Sequence, residues 1–206
     1  MKTTIVKRIV PVGTVAACDQ SVRKTLRTRA SFGMAFMLGL LLTSSALGQT
    51  TWQGGTGNWG LGTNWSAGVP NSTTNAFVDS DNGTNSVVNV NVFASVNDLT
   101  IDFGDVVNIN NAQRLSIHGN LFNNGLLIVG STGASTYFQP VGTITFSGTG
   151  AVELTHSTAW LYDNSNSNAA SDHLINSASH TIRGLGNIGF SSTLQITNHG
   201  LIDANV

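Results

Sequence analysis

Histidines are the side chains of this chain that could most readily hold a metal or carry a proton. There are five of them: His118, His156, His173, His180 and His199. Zinc sites on helices use pairs spaced H-x-x-x-H, and no two of the five have that spacing. No G-x-S-x-G elbow surrounds a serine, and the only cysteine, Cys18, lies in the basic N-terminal stretch. The sequence therefore predicts no metal site, no cofactor and no catalytic residue.

Two groups of aspartates could bind calcium, which prefers several oxygen ligands. Asp79 and Asp81 open a segment that looks like the start of a calcium loop, but no closing glutamate follows, and we expect a polar turn. Asp98, Asp102 and Asp105 lie close together along the chain. Because Asp98 and Asp102 fall on the polar positions of an alternating strand, a solvated face is favoured there over a calcium site.

A tryptophan and glycine motif is the most distinctive local feature. It reads W-x-G-G-x-G-x-W-x4-N-W and contains Trp52, Trp59 and Trp65. Trp59 stands where a G-G-x-G-x-D calcium repeat needs its aspartate, and the lysine of a phosphate-binding loop is missing. Two interpretations remain. The indoles cap the N-terminal end of a solenoid, or Trp52, Trp59 and Trp65 form a carbohydrate-binding platform on which sugar rings stack.

Alternation of apolar and polar residues dominates the chain after Asp81, and a period of two predicts strands. The clearest examples are Val88–Val92, Leu99–Phe103, Val107–Asn110, Leu115–His118, Val152–Thr155 and Leu194–Thr197. Clusters of Asn, Gly and Ser separate these short segments and tolerate tight turns. No stretch after residue 50 has convincing helical periodicity. The sequence predicts an all-β fold.

A weak internal repeat indicates which all-β fold this is. The segments 122–127 and 196–202 share an apolar-x-Asn-x-Gly-apolar pattern. Short strands joined by Asn/Gly corners at regular intervals favour a right-handed parallel β-helix, a solenoid whose coils stack on one another. We expect Asn123 and Asn198 to lie at corners, where their amides would bridge successive coils. An antiparallel β-sandwich would satisfy the same alternation and is the alternative.

Basic residues are concentrated at the N-terminus. Seven of the nine are Lys2, Lys7, Arg8, Arg23, Lys24, Arg27 and Arg29. An uncharged apolar stretch, 32–42, follows, and then small residues up to Gly48. This order is typical of a secretory signal peptide, and the apolar stretch is shorter than the ~20 residues of a membrane-spanning helix. Residues 1–48 are therefore predicted to be a signal peptide with a long basic region, removed before Gln49.

The mature chain then divides into a Trp/Gly-rich cap region, 49–81, and a β-helical repeat region, 82–206. It keeps two basic residues, Arg114 and Arg183, against nine acids, a net charge of about minus seven. A chain this poor in lysine and arginine lacks the positive footprint for nucleic acid or an anionic membrane. The alternation of Ile202–Val206 runs to the last residue, so we expect this sequence to be a piece of a longer repetitive protein.

Two segments carry a resemblance to a known class of proteins. The tryptophan motif, continued to Pro70, is similar to the start of the mature region in large bacterial surface proteins of the autotransporter-passenger, haemagglutinin-like and PEP-CTERM-associated type. The stretch Ile182–Asn205 resembles their L-x-I-x-N-x-G-x-I-D-A-N coils. The resemblance implies a bacterial β-helical protein that is secreted or associated with the outer membrane surface, adhesin-like and without catalytic residues.

Three functions follow from this description. The first is a structural or adhesive role without catalysis, with extracellular glycans or host and matrix surfaces as partners. The second is a carbohydrate-binding module that uses the tryptophan cluster. The third is a polysaccharide lyase, because many lyases are β-helices, but a lyase generally needs a Lys or Arg base. Only Arg114 and Arg183 could serve, and neither lies in an acidic cluster. The sequence favours the first function.

Overall fold

The computed structural model of the protein describes residues 47–78, 84–163, 172–189 and 194–204. The predicted signal peptide up to residue 46 lies outside the described residues. The predicted turn at Asp79–Gly83 and the last two residues of the predicted terminal strand also lie outside them. Within the described ranges, no helix is long and apolar enough to cross a membrane.

Short strands make up most of the described chain, and the only helical element among these residues is a 3-10 turn at Gly62–Asn64. The strands are β1 (Gly48–Thr51), β2 (Thr56–Asn58), β3 (Thr74–Val78), β4 (Val87–Val90), β5 (Ala94–Val96), β6 (Leu99–Ile101), β7 (Val106–Ile109), β8 (Arg114–Ile117), β9 (Leu121–Asn123), β10 (Leu126–Val129), β11 (Thr136–Pro140), β12 (Thr143–Ser147), β13 (Ala151–Leu154), β14 (Ala159–Leu161), β15 (His173–Asn176), β16 (Thr181–Gly184), β17 (Asn187–Ile188), β18 (Gln195–Asn198) and β19 (Leu201–Asp203). The prediction of an all-β fold is confirmed.

The strands form three parallel sheets. Each coil contributes one strand to a sheet, and the next coil adds the neighbouring strand. The first sheet has the order β1-β3-β6-β9-β12-β15-β18, the second β19-β16-β13-β10-β7-β4-β2 and the third β17-β14-β11-β8-β5. Every strand pairs with the strand three places along the chain, apart from β1 and β2 at the start, which pair two places along. The predicted parallel β-helix is therefore confirmed, and the antiparallel sandwich is excluded.

Alternate side chains of each strand point into the stack and form columns of like residues. Leu99 pairs in register with Leu121, and Phe138 lies between Leu115 and Leu161. All five side chains are fully buried. Burying one side chain of this size stabilises the fold by roughly 1.5–3 kcal/mol, so the period-two pattern supplies the main driving force for stacking.

One corner of the helix is a column of residues that precede the strands of the second sheet. We call Asp105, Gly125, Gly150, His180 and Gly200 the corner column, since each stands immediately before an in-register strand of that sheet. The Leu126 N–H donates to the Asp105 carbonyl at 3.0 Å, and the Ala151 N–H to the Gly125 carbonyl at 3.2 Å. The apolar-x-Asn-x-Gly-apolar repeat thus marks corners that stack directly on one another.

Side-chain oxygens of Asn and Asp join another row of corners. Asn75 Oδ1 accepts the Asp98 N–H at 3.2 Å, and Asp98 Oδ1 accepts the Asn120 N–H at 2.6 Å. In turn Asn120 Oδ1 accepts the Thr145 N–H at 2.9 Å. Each side chain satisfies a backbone donor of the following coil, which a parallel ladder would otherwise leave unpaired at the corner. These residues play the coil-bridging role that we expected of corner asparagines.

The two asparagines predicted for that role also bridge coils, but one does so from inside. Asn123 is fully buried, and its Nδ2 donates to the Ala151 carbonyl of the next coil at 2.9 Å. Asn198 is exposed, and its Oδ1 accepts from Asn176 Nδ2 at 2.8 Å. The repeat therefore identifies the right positions, while the side on which each amide lies depends on the packing of neighbouring coils.

The free edge of β1 is covered by a segment of opposite direction. Trp52 and Trp65 form an antiparallel bridge, and the Ser66 N–H donates to the Thr51 carbonyl at 2.8 Å. The Gln53 N–H donates to the Asn64 carbonyl at the same distance. An edge paired in this way cannot accept another parallel strand.

Candidate functional site

The three tryptophans of the predicted platform lie in the interior. Trp52 and Trp65 are 3% exposed and Trp59 is 0% exposed. Trp65 contacts both neighbours edge to face, with ring centroids 5.0 Å from Trp52 and 4.9 Å from Trp59. Its indole N–H donates to the Trp59 carbonyl at 2.9 Å. Rings buried to this extent offer no face on which a sugar could stack, so the structure provides no platform at Trp52, Trp59 and Trp65.

A different set of aromatic side chains lies on the outer face of the third sheet. Its strands β8, β11 and β14 bury Leu115, Phe138 and Leu161 in the core. Because neighbouring side chains in a strand point to opposite faces, Arg114, Tyr137 and Trp160 point outward. Arg114 pairs in register with Tyr137, and Tyr137 with Trp160. All three side chains are half-buried.

Phe93 extends this row by one coil. It precedes β5, in which Ala94 pairs with Leu115, so it stands opposite Arg114. The Phe93 ring is 68% exposed, and the Arg114 guanidinium lies over it at 4.9 Å from the ring centroid. We call Phe93, Arg114, Tyr137 and Trp160 the aromatic ladder. Strands in a sheet are about 4.8 Å apart, so the ladder runs for roughly 14 Å along the helix axis.

Further polar and aromatic groups adjoin the aromatic ladder. The Tyr162 ring lies against Tyr137, with centroids 5.5 Å apart. Beside the ladder Ser116 and Gln139 are buried, and Ser116 Oγ donates to Gln139 Oε1 at 3.2 Å. None of the five strands of the third sheet contains an aspartate or a glutamate. The face therefore combines aromatic surface, the hydroxyl groups of the half-buried Tyr137 and Tyr162, and one cation.

Two hollows lie elsewhere on the surface, and the charged side chains that line them bond to other groups of the protein. A hollow of about 290 Å³ lies beside Glu153 and Arg183. There Arg183 donates twice to Glu153 Oε2, at 2.9 Å from Nε and 2.8 Å from Nη2. A groove of about 230 Å³ passes Asp98 on the outer face of the first sheet, where Asp98 Oδ1 accepts the Asn120 N–H. Neither hollow presents an unengaged charge of the kind found in the aromatic ladder.

Asp98 and Asp105, two of the aspartates considered for calcium, serve the backbone, whereas Asp79 and Asp81 lie outside the described residues. Asp98 joins two coils as described above, and buried Asp105 accepts the Ser86 N–H at 2.7 Å. Across the described ranges, no group of three or more His, Cys, Asp or Glu side chains could hold a metal ion. The structure thus gives Asp98 and Asp105 a structural role.

His180 differs from the other histidines in lying in the core. It is fully buried, and burial lowers the pKa of its imidazole to about 4. Nδ1 lies 2.7 Å from Asn176 Oδ1, and Nε2 lies 3.4 Å from Asn123 Nδ2. Only the tautomer with the proton on Nδ1 lets both contacts be hydrogen bonds, since Nε2 must accept from the amide. His180 is therefore a neutral structural side chain at neutral pH.

Sequence reasoning did not identify the aromatic ladder. From the sequence, Arg114 is a candidate only as the base of a lyase, and Tyr137 and Trp160 belong to no recognisable motif. A signal was present, because the strands that contain them alternate around Leu115, Phe138 and Leu161 and so place the larger polar and aromatic residues outward. The sequence does not show the register between successive coils, which places these side chains beside one another.

Comparison of the chain with protein-family models, with curated proteins and with solved structures gives no match.

Proposed function

We propose that the protein is a secreted or surface-displayed bacterial β-helix with a structural and adhesive role, and that the aromatic ladder is its contact surface for glycans. One observation carries the proposal. Four side chains of the types most enriched at binding hot spots and interfaces stand in register on one face, one per coil. The resemblance of the tryptophan motif and of the last coils to bacterial surface proteins supports the location.

The chemistry of the face suits a sugar chain. Aromatic rings pack on the apolar C–H faces of sugars, while hydroxyl groups such as those of tyrosine hydrogen-bond to their rims. The Tyr137 and Tyr162 rings lie side by side, and the ladder extends for roughly 14 Å along the helix axis. An elongated row of this kind fits an extended polymer better than an isolated small molecule.

The surroundings of the two arginines favour adhesion without catalysis. Of the two arginines available to a lyase, Arg183 is held by Glu153 at 2.8 Å. The strands of the third sheet contain no aspartate or glutamate. These strands therefore provide no carboxylate beside Arg114 that could take part in acid–base catalysis.

Export is tested by the N-terminus of the mature protein. Expression of the full chain in a Gram-negative host is expected to yield an exported protein whose first residue is Gln49, because the small residues up to Gly48 are suited to signal peptidase. Mass spectrometry of the N-terminal peptide measures this. Retention of residues 1–48 on a cell-associated product would contradict the predicted signal peptide.

Glycan binding is tested by removing the largest ring of the aromatic ladder. We expect Trp160→Ala to weaken binding to an immobilised polysaccharide by roughly 30-fold, corresponding to about 2 kcal/mol for a hot-spot side chain. Affinity electrophoresis against a panel of plant, algal and bacterial polysaccharides measures the change.

Phe103→Ala is the matched control, because Phe103 is 83% exposed but lies between β6 and β7, outside the third sheet. Its loss should leave binding unchanged, and thermal melts should show that both variants are folded. Equal loss in the two variants, or no retardation by any polysaccharide, would contradict the proposal. Shortening of the polysaccharide by the purified protein would instead indicate a lyase or a glycosidase.

A further inference from the structure

Arg114 is the only charged member of the aromatic ladder, and its charge has no partner in the described residues. Arg183 is bound to Glu153, whereas no carboxylate of the described ranges lies within ion-pair distance of Arg114. The Arg114 Nε is buried and makes no hydrogen bond there. Guanidinium groups are usually paired when they are partly desolvated, so this one is available to an anion from outside.

The neighbours of Arg114 hold the guanidinium in place. Phe93 lies under it at 4.9 Å, and Tyr137 follows in register on the other side. A guanidinium stacked on an aromatic ring keeps its plane while its N–H groups stay directed to the side. Less side-chain freedom is then lost when an anion binds, and the planar fork matches the two oxygens of a carboxylate.

We propose that Arg114 is the subsite for the carboxylate of an acidic sugar within the glycan that the aromatic ladder binds. In this arrangement Phe93 and Tyr137 contact the sugars beside the acidic one. The inference rests on the proposed function and adds a substrate class to it: a glycan with a carboxylated sugar among neutral ones.

The charge of the whole chain limits how many acids that glycan carries. The sequence after residue 48 has two arginines against nine acids, so a polyanion would meet net repulsion along the stack. Charges interact over about 10 Å at 0.1 M salt, which is longer than the separation of two strands. A single carboxylate bound at Arg114 is attracted by the guanidinium and meets little of the repulsion from the acidic side chains of the protein. The net negative charge of the protein therefore favours sparsely acidic glycans over polyuronates.

The test compares a glycan with its own neutral form. The probe is a polysaccharide with one glucuronic acid in each repeat unit, and its control is the same polymer after reduction of the carboxyl groups to alcohols. We expect the acidic form to bind roughly tenfold more tightly, the order expected for a charge-assisted hydrogen bond. Polygalacturonate should bind more weakly than the sparsely acidic polymer at low salt, and the gap should narrow as salt is added.

Variants assign the preference to one residue. Arg114→Gln should bind both forms with the affinity that the wild type shows for the reduced form, while Arg114→Lys should keep part of the preference. Arg183→Gln is the matched control and should leave the preference intact. Thermal melts show whether each variant is folded, and the lysine variant keeps the test decisive if the glutamine variant is not.

The outcomes separate this inference from the proposed function. If both forms bind equally and Trp160→Ala still weakens them, the aromatic ladder binds glycans and the subsite is wrong. If Arg114→Gln retains the tenfold preference, the carboxylate is recognised elsewhere and the subsite is again wrong. If neither form binds to the wild type, the proposed function and the subsite fail together.

Discussion

Replacing Gly125 with alanine is expected to destabilise the protein strongly, because the added methyl group would meet backbone of the preceding coil. A methyl group at Gly125 would lie 2.5 Å from the Asp102 carbonyl oxygen and closer still to that of Asp105. Both oxygens belong to the backbone of the preceding coil and cannot rotate away. We expect a loss of roughly 3 kcal/mol, which lowers the Tm by about 6–12 °C for a domain of this size.

Gly62→Ala is the control for this prediction. No atom lies within 4 Å of the position that its methyl group would take, and Gly62 has no positive φ angle. Its Tm should stay within about 2 °C of the wild type, as surface substitutions usually do. Circular dichroism melts of the two variants make the comparison. A Gly125→Ala protein that melts with the wild type would show that successive corners do not approach as closely as described.

The second large effect concerns pH, because His180 occupies a glycine position of the corner column with its imidazole in the core. The pKa of His180 is lowered to about 4 by burial, against about 6.5 in an unfolded chain. The unfolded state therefore takes up a proton more readily below pH 6.5. The stability contributed by neutral His180 is complete above pH 6.5 and is lost as the pH falls towards 4, by roughly 3 kcal/mol in all.

The contacts of His180 explain why the charged form is disfavoured. A proton on Nε2 would face the Asn123 amide N–H, itself a donor, 3.4 Å away. Turning the Asn123 amide would offer its oxygen to the imidazolium, but the bond from Asn123 Nδ2 to the Ala151 carbonyl would be lost. The remaining neighbour, the Phe146 ring, meets the imidazole edge-on at 5.7 Å and brings no charge.

The measurement is the Tm of the wild type and of His180→Gln between pH 7.5 and pH 4. Carboxylates also titrate in this range, so the informative quantity is the difference between the two proteins. We expect His180→Gln to be less stable at pH 7.5 and the difference to shrink or change sign near pH 4. His199→Asn is the control, because His199 is exposed. A difference that stays constant with pH would refute the buried neutral imidazole.

The glycan proposal and these stability predictions concern different parts of the same stack of coils. Substitutions in the aromatic ladder change outward side chains, whereas Gly125 and His180 act at a corner and inside the stack. Variants of the first kind are therefore expected to alter binding with modest changes in Tm, and variants of the second kind to alter Tm without a direct effect on binding.

The fold class and the inward face of most strands follow from the amino-acid sequence alone. Alternation is a local property: once Leu115 or Leu161 is assigned to the core, the neighbours of that residue must point outward. The repeated Asn-x-Gly corner also predicted parallel stacking, and the close approach at Gly125 and Gly200 supplies the physical reason for the glycine. Neither inference needed knowledge of distant contacts.

Which aromatic residues face solvent together depends on how the coils stack, and local sequence patterns do not show it. The motif of Trp52, Trp59 and Trp65 is rich in glycine and does not alternate, so nothing local shows that its rings pack inward against one another. The ladder from Phe93 to Trp160 depends on register between coils of unequal length. In-register residues are 22 apart from Leu99 to Leu121 but 30 apart from Glu153 to Arg183. Loops absorb such differences, so the outward columns emerge only when the coils stack.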